Sequence, residues 1–115
     1  MKVVCKPWGK EEILEVNDHY MVKRLFMQAG KRCSLQYHEQ KEETIIVISG
    51  TLLITRNFEG ADSTWENITL GSGEFHTIPA GRTHRMEGLT DVVYLEASTP
   101  EQDDTIRVED DYGRQ

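Results

Sequence analysis

The chain has 115 residues, 37% of them hydrophobic and 29% charged, which allows one folded domain with a real core and leaves no room for two. Twenty acidic residues against 13 Lys and Arg give a net charge of −7, which argues against a general nucleic-acid binder or a binder of anionic membranes. An anionic small molecule stays open as a ligand, because a few local cations and a metal reverse the potential inside a pocket. No apolar run approaches the roughly 18 residues of a membrane span, and Met1 to Lys10 carry charges, a Pro and a Gly where a secretion signal would need an apolar core. The expected location is therefore cytoplasmic. Cys5 and Cys33 are then expected as unpaired thiols, and neither has the C-x-x-C spacing of a metal-thiolate site.

Taken in order, Pro7-Trp8-Gly9 is a turn into a short run, Glu11 to Val16, with apolar Ile13, Leu14 and Val16. Asn17-Asp18 is a second turn. His19 to Met27, rich in β-branched and long apolar residues, is expected as a strand, broken by Ala29-Gly30. Cys33 to His38 is the next strand, and Glu39 to Glu42 is a polar connection too short for a helix. Thr44 to Ile48 is the most apolar run, and its β-branched content predicts a strand buried on both faces. Ser49-Gly50 reads as a tight turn that makes a hairpin of this run and Thr51 to Thr55.

Arg56 to Thr64 is a polar loop. Strands are expected over Trp65 to Leu70, Phe75 to Ile78, Thr83 to Met86 and Asp91 to Ala97, punctuated by Gly71-Ser72-Gly73 and Pro79-Ala80-Gly81. An acidic tail follows Pro100. No stretch shows sustained i, i+3, i+4 apolar spacing. Many short strands with Gly and Pro between them predict an all-β sandwich or barrel, with Trp8, Tyr20, Phe26 and Trp65 in its core or at an interface.

Two stretches concentrate the chemistry. Gln36 and His38 are two apart on one strand and so point to one face, and Glu43 opens the next apolar run. His84 closes the stretch Gly73 to His84. Gln36, His38, Glu43 and His84 are expected to converge on one divalent metal from two hairpins. An amide oxygen, two imidazoles and a carboxylate suit Zn, Mn, Co or Ni without choosing sharply among them. His19 and His76 lie in no such pattern and read as ordinary core or surface residues. Lys23 and Arg24 are adjacent on a strand, so only one of them can face a barrel interior and hold an anionic group.

At these residues the sequence resembles the cupin superfamily. The first motif, usually G-x5-H-x-H-x3-4-E-x6-G, reads Gly30-x5-Gln36-x-His38-x4-Glu43-x6-Gly50, with Gln36 in place of the first His. The second, G-x5-P-x-G-x2-H-x3-N, reads Gly73-x5-Pro79-x-Gly81-x2-His84-x3-Gly88, with Gly88 in place of Asn. The resemblance implies the cupin double-stranded β-helix, a jelly-roll barrel. Lys6-Pro-Trp-Gly9, Ser34 to His38, Val47 to Thr51, Ile78 to Gly81, His84-Arg85 and Asp104 to Arg114 look more narrowly like type II mannose-6-phosphate isomerases, in which the cupin is often the C-terminal half of a bifunctional enzyme with a sugar-nucleotide pyrophosphorylase.

That branch carries Gln at the first ligand position and a motif Q-x-H-x-x-R-x-E, whose Arg is associated with isomerase activity; Lys41 stands at that position here, keeping the charge and losing the planar fork. The resemblance implies a metal-dependent aldose–ketose isomerase that takes a sugar phosphate, mannose 6-phosphate to fructose 6-phosphate, through an enediolate. Lys41 would be its active-site cation, and Lys23 or Arg24, with Arg107 of the tail, would bind substrate. It also implies a homodimer, with residues 100–115 packing across a partner subunit. A non-catalytic sugar or metabolite binder and a cupin dioxygenase are the competing readings. The proton-transferring base stays unassigned.

Overall fold

The computed structural model describes residues 1–57 and 64–114. These form eleven strands and no helix: β1 Lys2–Lys6, β2 Gly9–Val16, β3 Met21–Met27, β4 Leu35–His38, β5 Glu43–Ser49, β6 Leu52–Asn57, β7 Trp65–Leu70, β8 Phe75–Ile78, β9 His84–Gly88, β10 Val92–Ser98 and β11 Thr105–Glu109. Most of the loop expected over Arg56 to Thr64 lies outside the described residues.

The strands build two antiparallel sheets. One has six strands in the order β1-β2-β3-β10-β5-β8, and the other has five, in the order β11-β4-β9-β6-β7. Alternation explains how they pack. Met21, Leu25 and Met27 on β3, Ile45 and Val47 on β5, and Val92 and Tyr94 on β10 are buried between the sheets. Leu52 and Ile54 on β6 and Met86 on β9 meet them from the other side. Each fully buried aliphatic side chain of this kind contributes about 1.5–3 kcal/mol.

Several expectations are corrected. Thr44 to Ile48 is buried on one face only, and Ile46 and Ile48 are 37% and 45% exposed on the other, because among the described residues no layer covers the outside of the sheet. The runs on either side of Ser49-Gly50 are not a hairpin. β5 pairs with β10 and β8, whereas β6 pairs with β7 and β9 in the opposite sheet. Gly50 carries the chain across at φ +84°, so close to the neighbouring backbone that a Cβ there would stand 2.1 Å from the Asp91 carbonyl oxygen. Tyr20 and Trp65 are about half exposed and take no part in the core, while Trp8 is buried in it. The expectation of two unpaired thiols holds: Cys5 is exposed, Cys33 is buried, and both are free.

Two strands were not expected. Lys2–Lys6 pairs with β2 as an edge, and the tail forms β11 on this chain's own β4. Both edge strands are polar on one side, which hides the alternation from a reading of apolar runs.

Candidate metal centre

Crossing between the sheets is what assembles the site. β4 and β9 belong to the five-stranded sheet, and β5 belongs to the six-stranded sheet. The imidazoles of His38 and His84 thus come from one sheet and the carboxylate of Glu43 from the other, not from two hairpins. Gln36 pairs directly with His84 across β4 and β9, and Arg107 pairs with Gln36 across β11 and β4. Direct partners share a face, so Arg107, Gln36 and His84 form one inward row.

His38, Glu43 and His84 are all buried, and one ligand atom of each lies within 4.8 Å of the other two. His84 Nε2 is 3.2 Å from Glu43 Oε1, and His38 Nε2 is 3.8 Å from Glu43 Oε2. His84 Nδ1 lies 2.9 Å from the Arg82 carbonyl oxygen, which can only accept, so Nδ1 carries a proton. In the neutral ring Nε2 is then a bare lone pair facing a carboxylate oxygen. Two acceptors at 3.2 Å need a cation between them, either a proton on Nε2 or a metal.

Among the described residues neither imidazole Nε2 has a hydrogen-bond partner, although both atoms are buried. Buried polar atoms are ordinarily satisfied, so such a pair points to a missing partner. Metal–ligand bonds of about 2.0–2.2 Å place ligand atoms about 3–4 Å apart, a range that includes both imidazole–carboxylate separations. The other nitrogens are held from behind: His84 by Arg82, and His38 by Thr105 Oγ1 at 3.3 Å from its Nδ1. The donor set therefore fits a divalent ion. Gln36 lies on the same face, and its Oε1 accepts a hydrogen bond from the buried hydroxyl of Ser34.

Charge around the centre is strongly perturbed. Burial, and next the Lys41 ammonium, lower the His38 pKa to about 4, so this ring is neutral at pH 7 and free to coordinate. Burial alone would raise Glu43, but the close approach of the His84 imidazole, and next the Lys41 charge, outweigh it and hold the carboxyl well below its usual range. Lys41 Nζ stands 3.2 Å from Glu43 Oε2 and 3.1 Å from Glu96 Oε2. Burial works to lower the Lys41 pKa, and the two carboxylates overcome it, holding the pKa above its ordinary value. Lys41 is thus a fixed cation, the opposite of the depressed lysine that a general base at neutral pH would require.

These groups open onto a cavity of about 420 Å³ between the sheets, also lined by Gln36, Lys23 and Arg107. Lys23 is the member of its pair that faces inward, 3.4 Å from Glu11. Arg24 is not brought to the site. It sits on the opposite face of β3, with Nε 2.6 Å from Glu12 and its guanidinium beside the Phe26 ring.

Glu96 was missed by the sequence reading. It lines the cavity and is buried, and burial, then the Glu43 charge, push its pKa up to about 7 against the opposing effect of Lys41. The signal was available: Val92, Tyr94 and Glu96 alternate on β10, and the first two are plainly core residues. Thr105 and Asp104 were missed because their roles depend on the pairing of β11 with β4.

Comparisons agree with this architecture. Mannose-1-phosphate guanylyltransferase ManC of Salmonella typhimurium is 34% identical over 116 aligned residues, covering 96% of this chain but only 23% of that protein's length. The chain thus spans less than a quarter of the curated relatives it matches. Among solved structures, the capsular polysaccharide assembling protein CapF of Staphylococcus aureus superposes with a TM-score of 0.82 at 22% identity, over 94% of this chain and 31% of CapF. Oxalate decarboxylase of Bacillus subtilis, studied for its Mn(II) centres, gives 0.80 at 17% identity, over 94% and 30%. At such identities these two establish the shared cupin fold. The family described as "Mannose-6-phosphate isomerase C-terminal" matches residues 1–110. With the two-sheet barrel, the His–Glu–His cluster and a profile that spans all but the last few residues, the chain belongs to that family of cupin domains.

Proposed function

We propose that this domain is a metal-dependent sugar-phosphate isomerase that interconverts mannose 6-phosphate and fructose 6-phosphate. The observation that carries the reading is the convergence of His38, Glu43 and His84, with two orphaned imidazole nitrogens, beside a cavity that His38 and Glu43 line together with the Lys41 cation and the Glu96 carboxyl. His38, Glu43 and His84, with Gln36 beside them, would hold Zn, Mn, Co or Ni. Such an ion supplies Lewis acidity to the two sugar oxygens whose charge rises as the carbonyl moves from C1 to C2.

The chain's own residues divide the remaining work. Glu96 is placed to take the proton from C2 and return it to C1, because a carboxylate with a pKa near 7 can both accept and release a proton at neutral pH. Lys41 offsets the charge that the reacting oxygens gain. Lys23 and Arg107 line the cavity and are assigned to the phosphate. Ile46 and Phe75, direct partners on the uncovered face of the six-stranded sheet, are the surface a homodimer would close.

The test is an assay of purified, metal-reconstituted protein with mannose 6-phosphate and a panel of other sugar phosphates. Turnover of mannose 6-phosphate above the rest supports the proposal; tight binding without turnover removes it. A second reading, a non-catalytic sugar-phosphate binder, is favoured by one observation: Lys41 is already neutralised by two carboxylates.

A further inference from the structure

The segment from His38 to Glu43 carries two of the three convergent ligands and Lys41, yet Glu39 to Glu42 lie outside any strand. The segment is nonetheless bonded at every step. Asp104 Oδ1 accepts the Glu39 N–H at 3.2 Å, and Oδ2 accepts the N–H groups of Gln40 and Lys41 at 2.8 Å each. The Glu42 N–H donates to Thr99 Oγ1 at 3.0 Å, and the Glu42 carbonyl accepts the Thr99 N–H at 3.0 Å. The His38 carbonyl accepts the Gly81 N–H at 2.7 Å. Thr105, next to Asp104, meets the His38 ring.

The connection between β10 and β11 therefore acts as a template for a turn that has little order of its own. That turn must span the two sheets while holding His38 on one and Glu43 on the other. Fixing each residue of an unsupported connection costs backbone entropy. A single carboxylate that gathers three successive N–H groups does much of the fixing.

We propose that Asp104 is a positioning residue that sets the spacing of His38, Lys41 and Glu43, making the C-terminal segment part of the site. This inference rests on the metal reading of His38, Glu43 and His84, and is independent of which reaction the centre performs. Asp91 is the natural control. Its carboxylate also caps a turn, accepting the Ala29 N–H at 2.8 Å, but that turn does not join two of the ligands.

The experiment titrates Co(II) into the full chain and reads its visible absorption for the unsubstituted protein, Asp104→Ala, Asp104→Asn and Asp91→Ala. Loss of a group bonded directly to a ligand typically costs 10- to 100-fold in metal affinity; Asp104 acts one step further out, through the backbone between two ligands, and Asp104→Ala is expected at the lower end, about 10-fold. Asp104→Asn, with one acceptor oxygen where two worked, falls between. Asp91→Ala lowers the Tm and keeps the affinity. Unchanged affinity in Asp104→Ala, or an equal loss in Asp91→Ala, overturns the assignment. If Asp104→Ala fails to fold, unchanged affinity in Asp104→Asn overturns it instead. A protein that takes up no Co(II) removes the metal reading and this inference together. One that binds Co(II) but isomerises no sugar phosphate removes only the isomerase, and the affinity series still decides the role of Asp104.

Discussion

Lys41 and Glu96 form an ion pair inside the barrel, 3.1 Å from Nζ to Oε2, with both side chains over nine-tenths buried. Glu43 completes the arrangement 3.2 Å from the same ammonium. Removing one partner of a buried pair strands the other charge, so Lys41→Ala should cost about 3–5 kcal/mol of stability and abolish turnover. Lys41→Arg keeps the charge but adds volume to a packed site, at about 1–3 kcal/mol, and should retain isomerase activity. Urea denaturation beside a turnover assay checks both. A silent Lys41→Ala would place this lysine outside the chemistry.

Glu96→Gln keeps the size and removes the proton acceptor. General acid–base groups contribute about 10²- to 10⁴-fold, so kcat should fall within that range while metal stoichiometry stays at the unsubstituted value. A variant that retains kcat would return the base assignment to an open question.

His84→Ala removes an imidazole that is completely buried and held by the Arg82 carbonyl. Bound metal after reconstitution and desalting should drop to a small fraction of the unsubstituted protein, and His38→Ala should behave alike. His19→Ala, on an exposed turn, is the control and should change nothing. Elemental analysis gives the answer directly, and full occupancy in either buried variant would contradict the ligand set.

Asp110 connects acid stability to the tail. Hydrogen bonds from the Arg114 guanidinium hold its carboxyl down to about 2, with Nε–Oδ2 and NH2–Oδ1 distances both 3.0 Å. A carboxyl whose folded pKa is depressed stabilises the protein above its unfolded pKa of about 3.9, and that stability is lost as pH falls through the folded value. The Tm should therefore decline between about pH 4 and pH 2. In Asp110→Asn the decline over that window should be shallower, and an identical slope would rule the pair out as its source.

The two thiols should react very differently. Burial pushes the Cys33 pKa up to about 11, against a hydrogen bond from the Met86 N–H, whereas Cys5 is exposed. Thiolate is the reactive form, so a disulfide reagent at pH 8 should titrate one thiol quickly and the second only after denaturation. Two fast equivalents in the native protein would contradict the burial of Cys33.

What the chain declares locally is its alternation and its punctuation. Val92, Tyr94 and Glu96 share one face of a strand whatever that strand packs against, and Gln36 shares a face with His38 for the same reason, because side-chain direction in a strand has a period of two. An all-β fold, a same-face pair of candidate ligands and a choice between Lys23 and Arg24 can therefore be read without coordinates. Which member of that choice faces inward is settled by Leu25 and Met27, which share the parity of Lys23 and are buried.

Only the tertiary structure decided which sheet each strand joins. Ser49-Gly50 carries the same turn signal whether the chain folds back on itself or crosses over, and long-range pairing with β8, β9 and β10 selects the crossing. That selection puts Glu43 opposite His38 and His84, fixes Lys41 between Glu43 and Glu96, and lays Asp104 under the ligand turn. Each of these contacts joins groups from distant parts of the chain. Pairing energies between such segments depend on the whole barrel closing, and no short window of residues contains them.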